Sequence, residues 1–302
     1  MRVSVVVPTK NRATILPRAV DSIKSQKDVD VEIIVVNDGS TDNTIELVKE
    51  KYPEAKLINN VRSVGGAKAR NIGAENATGD FVAFLDSDDE WLPNHLISKI
   101  KIIDNTGANG AYGTFYLKDD ISQKEIKFYD NFPASYSIGD KIASFKPHDT
   151  RTSTFVFKKS KFDDIKFDNN LKKHQDWDLA INFELGNKII CDFTPTVIIH
   201  VDSLHSRMSN NLNHEATSYF LKKNMKLLSD EGYYNFCIKM VMRCQALGEK
   251  KALNCYLDLI EGKYNSLTAM QKTIFMLTKY MGLNLNAIRE LKNMLKFYQI
   301  KN

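Results

Sequence analysis

The chain has 302 residues, 43% of them apolar, and a formal net charge of +5, enough to bury one large α/β domain and a smaller appendage without disulfide or metal staples. Its four cysteines, Cys191, Cys237, Cys244 and Cys255, form no CxxC pair, which argues against a zinc knuckle or a secreted disulfide framework and points to a reducing cytoplasm. No run approaches the roughly 18 apolar residues of a bilayer span, and the opening apolar stretch stops at Pro8, short of a signal sequence.

Apolar runs and helical patterns alternate through the first third of the chain. Strands are expected at residues 3–7, 32–36, 56–59 and 81–85, with helices at 15–24, 44–51 and 67–76 between them. This is the βαβ rhythm of a parallel sheet, and near-continuous β-branched runs such as Ile33-Ile34-Val35-Val36 fit a sheet covered on both faces. From about residue 110 the pattern changes to Gly- and aromatic-rich short strands at 111–117 and 154–158. A helix follows at 176–185 and a strand at 196–200. After Asn213 the pattern is helical, with breaks near Gly232, Gly248, Gly262 and Gly282. Residues 213–302 carry 14 Lys/Arg against 7 Asp/Glu, so this region alone is +7 and the remainder −2. Such helices suit an anionic membrane face, or form a solvated surface.

Ligands of open α/β sheets bind outside the carboxyl ends of the strands, which directs attention to three loops. Pro8-Thr9-Lys10-Asn11-Arg12 offers backbone amides and a cation, or is an ordinary βα turn. Asp38 can accept a hydrogen bond from a nucleobase imide or ribose, or serve as an Asx-turn residue. Asp86-Ser87-Asp88-Asp89 follows the fourth apolar run and precedes Trp91-Leu92-Pro93. Hard divalent cations take oxygen ligands and keep affinity for phosphate oxygens, so carboxylates here can hold Mn2+ or Mg2+ against a diphosphate. An acidic turn capping a helix at Pro93 has the same pattern.

In this order and spacing, VPTKNR, IIVVNDGSTDNT, GGAKARNIGA and GDFVAFLDSDDEWLP resemble the inverting glycosyltransferases of family 2, strongly over residues 1 to about 95 and more loosely to about 210. The resemblance implies the GT-A fold: α/β, a doubly wound, mostly parallel, Rossmann-like sheet followed by a C-terminal helical region. It implies a nucleotide-sugar-binding half at 1–105, an acceptor-binding half with the catalytic base at 106–212, and helices at 213–302. A UDP-sugar would be bound by Pro8, Thr9, Arg12, Asp38 and Arg70, with Asp86 and Ser87 at the ribose or sugar and Asp88 on Mn2+ or Mg2+. Arg70 also reads as a solvated helix residue or a partner of Glu75.

In that family a Glu-Asp pair opens a helix near the reaction centre, and its second member is the general base. Here Lys173-His174-Gln175-Asp176-Trp177-Asp178 has Gln175 in place of the first acid, so Asp176 alone matches the base. Inverting transfer needs a carboxylate opposite the leaving group, taking the acceptor's hydroxyl proton; without the resemblance, Asp176 reads as an N-cap. Related enzymes carry a His, or an Arg with a nearby Ser, after the strand at 196–200. That makes His200 and His205 candidate metal ligands and Arg207 and Ser209 candidate diphosphate contacts.

The expected function is metal-assisted transfer of a single sugar, with inversion, to a hydroxyl of a surface glycan such as an O-antigen or capsule repeat, on a lipid-linked saccharide. The membrane spans and QxxRW motif of processive synthases are absent from the sequence. The expected location is cytoplasmic and peripheral on the inner face of the cell membrane, with residues 219–301 against anionic lipid; no nucleic-acid partner is expected. Two other readings remain. A sugar-phosphate nucleotidyltransferase would carry a Gly-rich loop after the first strand, where this chain has Pro8-Thr9-Lys10-Asn11-Arg12. A catalytically silent nucleotide-sugar-binding scaffold subunit of a glycan assembly complex is favoured only by Gln175.

Overall fold

Val3, Val5, Val6 and Val7 are fully buried because their strand lies at the centre of a sheet, with a parallel neighbour on each side. The computed structural model describes residues 1–119, 121–201 and 213–281. In chain order its elements are β1 (Arg2–Thr9), α1 (Leu16–Lys24), β2 (Asp30–Asp38), α2 (Thr44–Lys51), β3 (Lys56–Asn60), α3 (Gly66–Glu75), β4 (Phe81–Phe84), β5 (Asp89–Trp91), α4 (His95–Thr106), β6 (Gly110–Gly113), β7 (Phe115–Lys118), β8 (Gln123–Ile126) and α5 (Ile138–Ala143). There follow β9 (Val156–Lys158), α6 (Lys159–Asp163), α7 (Gln175–Glu184), β10 (Ile189–Asp192), β11 (Val197–His200), α8 (His214–Asn224), α9 (Asp230–Leu247), α10 (Lys250–Glu261) and α11 (Ala269–Met281).

Seven strands form one sheet in the order β10-β6-β9-β4-β1-β2-β3. All its pairings are parallel except the two made by β9, which enters antiparallel between β4 and β6. The doubly wound, mostly parallel α/β sheet expected from the sequence is present. The chain runs outward from β1 through β2 and β3, then returns to place β4 on the other side of β1. Such a reversal marks the usual ligand position in sheets of this kind, beyond the carboxyl ends of β1, β2 and β4. Gly73 lets α3 lie directly on β1, since a Cβ there would sit 2.3 Å from Val6 Cγ1.

Two expectations are corrected. The apolar run at 111–117 is two strands in different sheets: β6 belongs to the large sheet, while β7 joins a four-stranded sheet of order β5-β11-β7-β8. Thr114 makes the change of direction, its backbone N–H bonded to Asp192 O and its hydroxyl to Phe193 O. The acidic run does not cap a helix. Its last residue, Asp89, begins β5, which pairs antiparallel with β11, and α4 starts only at His95.

The chain divides into two compact units: residues 1–138 with 147–224, and Gly139–Lys146 with the described residues from Met225 onward. The second unit is helical. Gly248, at φ 71°, ends α9 in the left-handed conformation, and Gly262 follows the last residue of α10. The break near Gly232 falls at Ser229, the N-cap of α9, and Gly232 itself is helical. It lies in the first turn of α9, where its N–H donates to the N-cap Ser229 Oγ at 3.0 Å. A Cβ there would lie 1.9 Å from Asp140 Oδ1, an oxygen that also accepts the Ser229 N–H and hydroxyl. Among the described residues no helix is long and apolar enough to cross a membrane. The region expected to meet lipid, residues 219–301, extends beyond the described residues at its end, and the Gly282 break lies outside them.

Candidate active site

The three edge loops are stitched together by their own side chains. Asn11, at φ 53°, takes a hydrogen bond on its side-chain oxygen from the Thr41 N–H at 2.8 Å, and its own N–H donates to Ser40 Oγ at 2.9 Å. The Arg12 N–H donates to Thr44 Oγ1. Thr9, beside Asn37 in the β1–β2 register, is 3% exposed, and its buried hydroxyl has no hydrogen-bond partner among the described residues.

Asp38 ends β2 and is buried. Its carboxylate accepts from the Val64 N–H (2.7 Å), the Ser63 hydroxyl (2.7 Å) and the Gly65 N–H (3.0 Å). Burial alone would push this carboxyl up, but those donors outweigh it and hold the group below the usual carboxylate range. Asp38 thus fixes the loop that launches α3, the helix carrying Arg70. Arg70 is 9% exposed and is neither solvated nor paired with Glu75, which instead binds Lys166. Its Nη2 donates to Asp86 Oδ1 at 2.6 Å and its Nη1 to Gln175 Oε1 at 2.8 Å, so one guanidinium joins the acidic loop to the start of α7.

Asp86, Asp88 and Asp89 each present a carboxylate oxygen, all within 4.8 Å of one another. Ser153 holds this loop at both ends: its Oγ accepts the Asp86 N–H and donates to Asp89 Oδ2 at 2.6 Å. Its carbonyl also accepts from Trp91 Nε1 at 2.7 Å. With Asp86 committed to Arg70 and Asp89 to Ser153, Asp88 is the acid set toward Arg12, at 3.9 Å. Arg12 Nη1 is buried with no hydrogen-bond partner among the described residues. Ser87, between the acids, is 8% exposed. Three close carboxylates are an all-oxygen donor set suited to a hard divalent ion such as Mn2+ or Mg2+.

Helix α7 begins at Gln175 with His174 at the N-cap position, in left-handed conformation and without a side-chain cap. Asp176 is therefore inside the first turn and is not the cap. Burial, reinforced by the neighbouring Asp149 charge and opposed by Arg151 and by the Trp177 N–H, pushes its carboxyl up to about 6. A carboxylate so poised can take a proton near neutral pH. His200 lies outside the acidic group; it is 6% exposed, and its Nε2 is 2.9 Å from Glu90 Oε2 across the β11–β5 pair. His205, Arg207 and Ser209 lie outside the described residues. Asp149, Arg151 and Ser153, which carry no periodic or motif signal in the sequence, complete these contacts from the segment before β9, Ser153 within a 3-10 turn at Thr152–Thr154.

Residues 4–166, more than half of the chain, match the family model described as Glycosyl transferase family 2. The chain belongs to glycosyl transferase family 2. It is 30% identical over 209 residues to the amylovoran biosynthesis glycosyltransferase AmsB of Erwinia amylovora, covering 66% of this chain and 69% of AmsB. It is 32% identical over 116 residues to WfgD of Escherichia coli, named as a UDP-Glc:alpha-D-GlcNAc-diphosphoundecaprenol beta-1,3-glucosyltransferase; that match spans 38% of this chain and 46% of WfgD. The crystal structure of S. aureus TarS 1-349 in complex with UDP-GlcNAc superposes with a TM-score of 0.68 at 17% identity, covering 98% of this chain and 92% of that one. Family 2 membership makes the chain a glycosyltransferase, and the TarS likeness agrees with the GT-A architecture of its sheet.

Proposed function

We propose that this family 2 enzyme transfers one sugar from a UDP-sugar, with inversion, to a hydroxyl of a lipid-linked surface-glycan precursor. The observation that carries this reading is the Arg70 bridge, which ties the acidic loop at Asp86 to the helix turn bearing Asp176. The lipid-linked acceptor is supported by the activity for which WfgD is named, and the glycan class by the amylovoran role of AmsB.

In this reading Pro8, Thr9, Arg12, Asp38 and Arg70 line the nucleotide end, where the buried Thr9 hydroxyl and Arg12 Nη1, without hydrogen-bond partners among the described residues, are left for a ligand to satisfy. Asp86 and Ser87 face the ribose or sugar. Asp88, within the three-carboxylate group, would hold Mn2+ or Mg2+, whose positive charge would offset that of the departing diphosphate. By the family resemblance, Arg207 and Ser209 remain the candidate diphosphate contacts and His205 a candidate metal ligand, whereas His200 is engaged with Glu90. On the other side, Asp176 accepts the proton of the acceptor hydroxyl as that oxygen bonds to C1 and the C1–O bond to UDP breaks. The enzyme works from the cytoplasmic side, and its basic C-terminal helices rest on anionic lipid.

Gln175 does not call for a silent subunit. Its side-chain oxygen accepts the Arg70 hydrogen bond, a task glutamine performs as a neutral group. UDP release from a panel of UDP-sugars with Mn2+, measured for wild type and Asp88→Ala, tests the proposal. Turnover that depends on the ion and is lost in the variant supports it; tight UDP binding with no turnover on any donor or acceptor would return the scaffold reading.

A further inference from the structure

The residues on either side of Asp176 are each pinned from a different part of the fold. Gln175 is held by Arg70 and, through its Nε2, by Leu171 O at 2.7 Å. Trp177 is held by Asp149, whose Oδ1 accepts the indole Nε1–H at 2.7 Å. The same Asp149 oxygen accepts the Thr150 N–H, and Oδ2 lies 2.8 Å from Arg151 Nη2. Meanwhile the Trp177 backbone N–H donates to Asp176 Oδ1 at 3.0 Å. Trp177 is therefore anchored to Asp149 by its ring and joined to the carboxylate of Asp176 by its main chain.

These anchors matter because α7 lacks the usual means of fixing its first turn: His174, at φ 62°, makes no side-chain cap hydrogen bond. Contacts from outside the helix hold the turn instead: Arg70 on Gln175 and Asp149 on Trp177 flank Asp176 directly, while His174 Nε2 meets Thr217 Oγ1 at 2.9 Å and Asp178 takes hydrogen bonds from Lys223 and Asn224. We propose that Asp149 is a positioning residue for the reaction, orienting the first turn of α7 through the Trp177 indole while Arg151 keeps the Asp149 carboxylate directed toward that ring. This rests on the reading of Asp176 as the general base. A displacement of the base by even about 1 Å is enough to cost on the order of a hundredfold in rate, so a residue that touches no substrate can still govern turnover.

The test compares Asp149→Ala, Asp149→Asn, Trp177→Phe and the double variant Asp149→Ala/Trp177→Phe, assayed for sugar transfer, donor KM and UDP affinity. Positioning predicts that Asp149→Ala lowers kcat roughly ten- to a hundredfold, with donor KM and UDP affinity within about twofold of wild type. Asp149→Asn, which keeps an acceptor for the indole, recovers most of the loss. The double variant is no slower than Asp149→Ala alone, because the two residues act through one bond. Unchanged kcat, losses that multiply in the double variant, or a parallel rise in donor KM would overturn the proposal. Trp177→Phe removes a single N–H from the pair and keeps the test decisive should Asp149→Ala fold poorly. The chain has two tryptophans, so its indole N–H NMR signals are two; the one lost in Trp177→Phe must move in Asp149→Ala. Asp176→Asn run in parallel separates the claims: full transfer by that variant removes the base itself, whereas an inactive Asp176→Asn beside a fully active Asp149→Ala removes only the positioning role.

Discussion

Arg70 and Gln175, 105 positions apart in the chain, are joined by a 2.8 Å hydrogen bond, and the same guanidinium holds Asp86 at 2.6 Å. Hydrogen bonds to charged groups contribute about 1.5–3 kcal/mol. Arg70→Ala, which removes both and leaves Asp86 without its cation, is expected to lower kcat/KM by about a hundredfold or more. Arg70→Lys recovers little, since a single ammonium lacks the fork that reaches two acceptors. Gln175→Glu keeps an acceptor for Nη1 and should leave transfer within about threefold of wild type, because the task at this position is to accept a hydrogen bond. Steady-state kinetics on the three variants check the set.

The pH dependence follows from Asp176. A base must be ionised to accept a proton, and burial beside the Asp149 charge pushes this carboxyl up to about 6. Transfer should therefore fall as pH drops through about 6, well above the range of an ordinary aspartate. The stability effect has the opposite sense. A carboxyl that binds its proton more tightly when folded favours the fold most below its ordinary value, and that contribution is lost as pH rises through about 6. Asp176→Asn should therefore be more stable than wild type by roughly 1–2 kcal/mol at pH 7.5, with the advantage shrinking toward pH 4. Denaturant melts at both pH values measure it.

Asp38 has the reverse sign. Its carboxyl is held below the usual range by hydrogen bonds from Val64, Ser63 and Gly65 that outweigh burial. Its contribution is present above the ordinary aspartate value and is lost as pH falls through the depressed one. Asp38→Ala strands those donors, and leaving buried donors unpaired costs about 1–3 kcal/mol. The expected result is a lower melting temperature at neutral pH together with weaker UDP binding, both read in one thermal-shift titration with UDP.

Much of this site was legible because its residues sit where period and punctuation are strongest. Continuous β-branched runs marked β1 and β2, and the polar residues that follow them, Thr9 and Asp38, stand where the sheet must end. Asp149, Arg151 and Ser153 gave no such signal. They lie in an irregular segment whose position is set by β9 inserting antiparallel between β4 and β6, a long-range pairing with no local pattern. The division of this stretch between two sheets is hidden for a related reason: Ala111 to Leu117 reads as one extended run, and the bonds from Thr114 to Asp192 and Phe193 that turn it are long-range. The Arg70 bridge is half visible in the sequence: the arginine lies in a family motif, but Gln175 reads only as a departure from Glu, with no local sign of the bond it makes.

Gly232 illustrates how a glycine that reads as punctuation can be a packing requirement. Gly232→Ala would set a methyl group against Asp140 Oδ1, 1.9 Å from the ideal Cβ position, and disturb the oxygen that accepts from Ser229. Overpacking of this kind typically costs about 1–3 kcal/mol. The helical unit of Gly232→Ala should unfold at lower denaturant than wild type, while Gly248→Asn, at a position already left-handed and with no atom within 4 Å of a Cβ, should be near neutral.

The central claim is that Asp176 removes the acceptor proton, and single-turnover sugar transfer by Asp176→Asn at pH 7.5, alongside UDP affinity, tests it most directly. With Asp176 as the base, UDP affinity should stay within about twofold of wild type while transfer falls by about a hundredfold or more, in keeping with loss of general-base catalysis. Transfer at the wild-type rate by Asp176→Asn would contradict it.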